Sequence, residues 1–130
     1  MKQRIIAVVS VVVSWALLDF VFHGTILMSD YSATAQLWRP MAEMSPLFMN
    51  IIALLAALIF VFVYCRLISG KSVKHGMLFG LGIGLLTGIY FGIGSYGWMP
   101  ITVKIAGIWA IANIVKFTVA GAIAGYFVKE

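Results

Sequence analysis

Long apolar stretches, broken by single charges or short polar segments, set the pattern of this chain. Ile5 to Leu18, Met44 to Cys65 and Gly76 to Val103 contain no Asp, Glu, Lys or Arg, and a last stretch from Ile105 to Val128 is interrupted only by Lys116. Neither two-residue alternation nor a narrow amphipathic stripe runs through them, so they read as helices surrounded by lipid. A helix rising about 1.5 Å per residue needs about 20 residues to cross about 30 Å of hydrocarbon. Four spans meet that requirement, at about residues 5–28, 46–66, 76–98 and 102–128, joined by an interfacial loop at 29–45. The expectation is an all-α, polytopic membrane protein: a single domain of four transmembrane helices over residues 1–130. Spans one and four reach full length only if Asp19 and Lys116 lie inside the bilayer.

Composition strengthens this picture. Hydrophobic residues make up 63% of the chain, charged residues 10%, and mean hydropathy is +1.08, which excludes a soluble enzyme, a disordered tail and a disulfide scaffold. A lone cysteine, Cys65, excludes an internal disulfide and any Cys-x-x-Cys redox or zinc site. The net charge of +5 does not point to nucleic acid, because the basic residues stand singly at the ends of apolar runs.

Those positions instead predict topology. With the N-terminus inside, Lys2, Arg4, Arg66, Lys71, Lys74 and Lys129 are cytoplasmic, while Arg39 and Lys104 face outward. This bias predicts cytoplasmic termini and an outer loop from Ser29 to Ser45. The N-terminal stretch also has features of a signal peptide, with Lys2 and Arg4 before an apolar run and Ala33-Thr34-Ala35 beyond it. Its length and the presence of Asp19 favour a retained span.

The outer loop carries Tyr31, Trp38, Arg39, Met41 and Met44. Tyr31 and Trp38 suit an aromatic belt, and Ser32 suits the cap of a short helix lying on the membrane. The segment reads either as an interfacial tether or as a lid or docking surface over the outer mouth of the bundle.

Span three holds the most regular signal. Gly76, Gly80, Gly84, Gly88 and Gly92 recur at every fourth position, and span four offers Gly121 and Gly125 as complements. Such a face lets another backbone approach closely, either within the bundle or in a homo-oligomer or larger membrane complex. Gly80-Leu81-Gly82-Ile83-Gly84 is no phosphate loop, because no Lys-Ser/Thr follows it.

Asp19 and His23 share one face of span one, a turn above Trp15. An intramembrane aspartate costs about 2.5–3.5 kcal/mol to insert and is retained with a partner or a task. Lys116 is the natural partner, since span four returns it to nearly the same depth, and Asn113 lies one turn away on its face. The cluster reads either as an ion pair fixing the register of spans one and four, or as a proton-linked polar site with His23 as proton carrier and Asp19 as its counter-charge. No haem, metal or other cofactor is expected. His23 and His75 fall at opposite depths and cannot share a haem iron, and the outer methionines Met28, Met41, Met44, Met49 and Met99 read as flexible apolar contacts more readily than as copper ligands. No serine sits in a hydrolase motif, so no catalytic residue is assigned.

The string Trp15-x3-Asp19-x3-His23-Gly24, with Tyr31 and Leu37-Trp38-Arg39-Pro40-Met41-x2-Met44, resembles a group of small bacterial four-span inner-membrane proteins. The resemblance runs loosely along the chain. It implies the architecture and a bacterial inner-membrane location, and it carries over no activity. Two functional readings follow from the residues: a non-catalytic accessory or packing subunit working through the glycine face, or an oligomeric proton-coupled transporter or channel working through Asp19, His23, Asn113 and Lys116.

Overall fold

The computed structural model describes residues 1–129. Among these the chain is all-helical, and four helices are long and apolar enough to cross a membrane: Lys2–Ile26, Pro46–Leu67, Val73–Ile93 and Val103–Phe127. The first consists of α1 (Lys2–Val21) continued by a π-helical turn over Phe22–Ile26, in which the Leu27 N–H donates to the Phe22 carbonyl at 3.0 Å. A short helix α2 (Met28–Ala33) and two 3₁₀ turns, Ala35–Leu37 and Met41–Glu43, make up the interfacial loop.

Side-chain caps set the remaining starts. The Ser45 hydroxyl accepts from the Phe48 N–H ahead of α3 (Pro46–Leu67), whose first position is a proline with no N–H to satisfy. Gly70, at φ +63°, turns the chain between α3 and α4. Ser72 caps α4 (Val73–Thr87) by accepting from the His75 N–H, which starts this helix a turn ahead of the apolar run. A second π-helical segment, Gly88–Ile93, continues α4, and Thr102 caps α5 (Val103–Phe127).

Antiparallel neighbours alternate direction, so Lys2 and Phe127 lie at one end of the bundle and α2 with its following turns covers the other. The tightest seam joins α4 to α5. A methyl group added at Gly76 would lie 2.0 Å from the Gly121 carbonyl oxygen, one at Gly80 2.0 Å from the Phe117 oxygen, and one at Gly92 2.7 Å from the Ala110 nitrogen. From the facing side, a methyl at Gly121 would meet the Gly76 oxygen at 1.9 Å, and one at Gly125 the Ser72 oxygen at 2.2 Å. Gly84 and Gly88 press on Ile114 and Ala110 in the same ladder. This glycine face is therefore filled by the chain's own α5. In lipid, where hydrophobic burial drives nothing between helices, such backbone proximity supplies dispersion contacts instead.

α1 packs on both α5 and α3. Ala7, Val11 and Trp15 meet Ala57, Phe60 and Tyr64 from α3 and Ala120 and Ala124 from α5. Trp15 anchors this core edge-on to Phe117, with ring centroids 5.3 Å apart. A smaller core, formed by Leu27, Ile101, Ile105 and Ala106, closes the loop end. The outward faces expose Leu17, Phe20, Phe48, Ile59, Phe62 and Leu86, among others, a surface suited to hydrocarbon and untenable in water.

Candidate functional site

The four-residue separation of Asp19 and His23 puts both on the face of α1 that meets α5 and the loop end. From α5, the Lys116 ammonium reaches the Asp19 carboxylate, Nζ to Oδ1, at 2.6 Å. Lys116 is held from two further directions. Its backbone carbonyl accepts the Trp15 indole N–H at 3.2 Å, and its ammonium lies 5.7 Å from the centroid of that ring. The His23 Nε2 lies 3.8 Å from the same Asp19 oxygen. Asp19 Oδ2 takes no hydrogen bond among the described residues.

The other side of the imidazole faces α2. His23 Nδ1 lies 2.6 Å from the Tyr31 hydroxyl, which in turn accepts the Trp109 indole N–H at 2.7 Å. These side chains form one connected series, Lys116–Asp19–His23–Tyr31–Trp109. Donor chemistry gives it a direction. An indole only donates, so the Tyr31 oxygen accepts from Trp109 and its own proton is free for His23 Nδ1. A neutral His23 then carries its proton on Nε2, toward Asp19. The opposite neutral tautomer would aim a lone pair at a carboxylate oxygen.

Burial pushes the Tyr31 hydroxyl above its ordinary range, and donation from Trp109 works in the other direction. Around it, Trp38 packs edge-on at 5.3 Å while donating its indole N–H to the Thr34 hydroxyl at 3.0 Å. The Lys104 ammonium ties α5 to α2 through Asp30 at 2.8 Å.

Two cavities flank the series. The larger, of about 1010 Å³, has Asp19, His23, Tyr31 and Trp109 on its polar side. Its apolar wall includes Phe20, Met28, Trp38, Met41 and Met44, and the exposed Arg39 lies at its edge. The smaller, of about 230 Å³, lies behind His23 and Trp109 and is bounded by Ser95, Asn113 and the π-helical Phe91 and Gly92. π-Helical turns are frequent at functional sites, and here one such segment carries His23 and the other borders the small cavity.

Of the residues singled out in the sequence, Asp19, His23 and Lys116 come together directly, while Asn113 lines the small cavity and makes no hydrogen bond to either charge. The loop residues Tyr31, Trp38, Arg39, Met41 and Met44 all border the large cavity. Gly76 through Gly92, with Gly121 and Gly125, lie in the α4–α5 seam, away from it. Sequence reasoning missed Trp109. It precedes Asn113 by four residues and Lys116 by seven, a spacing that marks it as a member of the same face. No protein-family model, curated protein or solved structure matches this chain.

Proposed function

We propose that this multi-pass membrane protein binds an amphiphilic molecule drawn from the bilayer, with an uncharged, hydrogen-bonding head on the Asp19–His23–Tyr31 wall and an apolar tail along Met28, Met41 and Met44. With the termini in the cytoplasm, the site lies in the outer half of the membrane. The observation that carries this reading is the cavity of about 1010 Å³ whose apolar wall ends on a charge-balanced floor, the Asp19 carboxylate being matched by Lys116 at 2.6 Å. On that floor a charged head finds no uncompensated counter-charge, Arg39 lying out at the cavity's edge, whereas a hydroxyl finds open acceptors at Asp19 Oδ2 and Tyr31. An accessory role through the glycine face draws less support, because the chain's own α5 fills that face.

A neutral monoacylglycerol bearing a diazirine in its acyl chain tests the proposal on the full-length protein in phosphatidylcholine nanodiscs. Mass spectrometry of the adducts is expected to concentrate them on Met28, Met41 and Met44. A spread of label over the lipid face of α3, at Phe48, Ile59 and Phe62, with none in the cavity, overturns it.

A further inference from the structure

We propose that the protonation state of His23 decides which kind of head the cavity accepts, by reversing the Tyr31 hydroxyl between acceptor and donor; this inference rests on the amphiphile-binding reading above. The Tyr31 oxygen has two lone pairs and one proton, and three claims are made on them: the Trp109 indole N–H, His23 Nδ1, and whatever occupies the cavity that Tyr31 borders. Trp109 always donates, so it always consumes one lone pair.

When His23 is neutral, with its proton on Nε2 toward Asp19, Tyr31 donates to Nδ1 and keeps one lone pair for the cavity. When His23 is an imidazolium, Nδ1 carries a proton and must donate. Tyr31 then accepts from both Trp109 and His23, both lone pairs are used, and its own O–H turns to the cavity. The wall offers an acceptor in the first state and a donor in the second. A hydroxyl-headed amphiphile, able to donate or accept, suits both states, and a ketone- or ester-headed one, which can only accept, suits the charged state alone.

The surroundings of His23 allow the proton to come and go. Among the described residues, the charged and titratable groups facing it are Asp19 on its own helix, Lys116 from α5 and Tyr31 from α2. The end of α4 and the turn after it present only uncharged groups, Phe91, Gly92 and Ser95. The cavity of about 230 Å³ behind the imidazole has the volume and, in Asn113 and Ser95, the polar partners to admit water. His23 therefore stands between a small polar chamber that can carry protons and a large apolar one that holds the ligand.

Competition against the diazirine monoacylglycerol reads this directly. A long-chain methyl ketone and the primary alcohol of equal chain length are titrated as competitors at pH 5 and pH 8, in phosphatidylcholine nanodiscs. The ratio of ketone to alcohol potency is expected to rise roughly fivefold at the lower pH, since the ketone gains one hydrogen bond there while the alcohol, donating to Tyr31 in one state and accepting from it in the other, keeps one in both. His23→Gln and Tyr31→Phe should each flatten the ratio, which is taken within each variant and so is independent of how strongly that variant binds the probe. A pH-independent ratio in the unaltered protein, or a pH-dependent one that survives Tyr31→Phe, overturns the switch and leaves the binding site standing. Failure of the probe to label the cavity at either pH overturns the site and the switch together.

Discussion

Lys116 and Asp19 meet at 2.6 Å from opposite helices, and the same lysine accepts the Trp15 indole N–H on its carbonyl, so one α5 residue is tied to α1 at two points one turn apart. Removing the Asp19 charge leaves Lys116 without a counter-charge in low-dielectric surroundings, and removing the Lys116 charge leaves Asp19 facing only the His23 imidazole at 3.8 Å. Asp19→Asn and Lys116→Met are each expected to lower stability in nanodiscs by about 2.5–3.5 kcal/mol, the range for a charge at mid-bilayer. The double change should recover much of that loss. Thermal denaturation of all four proteins checks it, and strictly additive losses would exclude the coupling.

The glycine seam makes a sharper contrast. At Gly80 an added methyl meets the Phe117 oxygen at 2.0 Å, while at Gly82, on the same helix, it meets nothing within 4 Å. Gly80→Ala should cost about 3 kcal/mol, the upper end of the usual range for overpacking, because only backbone movement relieves the clash. Gly82→Ala should be neutral or slightly stabilising, since alanine favours helix. Equal tolerance of the two changes would mean that α4 and α5 are farther apart.

Lys104 and Asp30 form an ion pair of another kind, with the lysine side chain 58% exposed. Solvent and salt screen such a pair, so Lys104→Ala should change stability by less than about 1 kcal/mol, and raised ionic strength should erase the difference. A large, salt-insensitive loss would show that the contact anchors the loop end of the bundle.

Alkaline titration probes Tyr31. Burial raises its native value above the ordinary 10.0, so in the range between the two the unfolded chain has released a proton that the native protein retains. Stability conferred by this group is complete below about 10 and declines as pH rises through the native value. Tyr31→Phe should make the alkaline decline shallower. An unchanged slope would mean that Tyr31 ionises alike in both states.

The four spans were legible because crossing hydrocarbon demands length and apolarity, and both are written residue by residue. Asp19 and Lys116 were legible as exceptions to that rule, and His23 through its spacing from Asp19. The start of α4 was harder to read, since Ser72 caps it among polar residues that hydropathy alone assigns to the turn. The π-helical turn at Phe22–Ile26 left no trace in residue types, because a shifted backbone hydrogen bond needs no particular side chain. Trp109 was hidden for a related reason: near the end of an apolar span, a tryptophan reads as an interface anchor, and only the folding back of α2 shows that its N–H is spent on Tyr31.

The widened turns in α1 and α4 also decouple the two ends of each helix in rotation. An extra residue per turn advances everything beyond it by about 100°, so the face that α1 shows to the seam below Phe22 and the face it shows above Leu27 are phased independently. Deleting one residue within Phe22–Ile26 would leave a continuous apolar helix of sufficient length. It would also swing α2 and its tyrosine around the bundle axis, away from the imidazole they now meet.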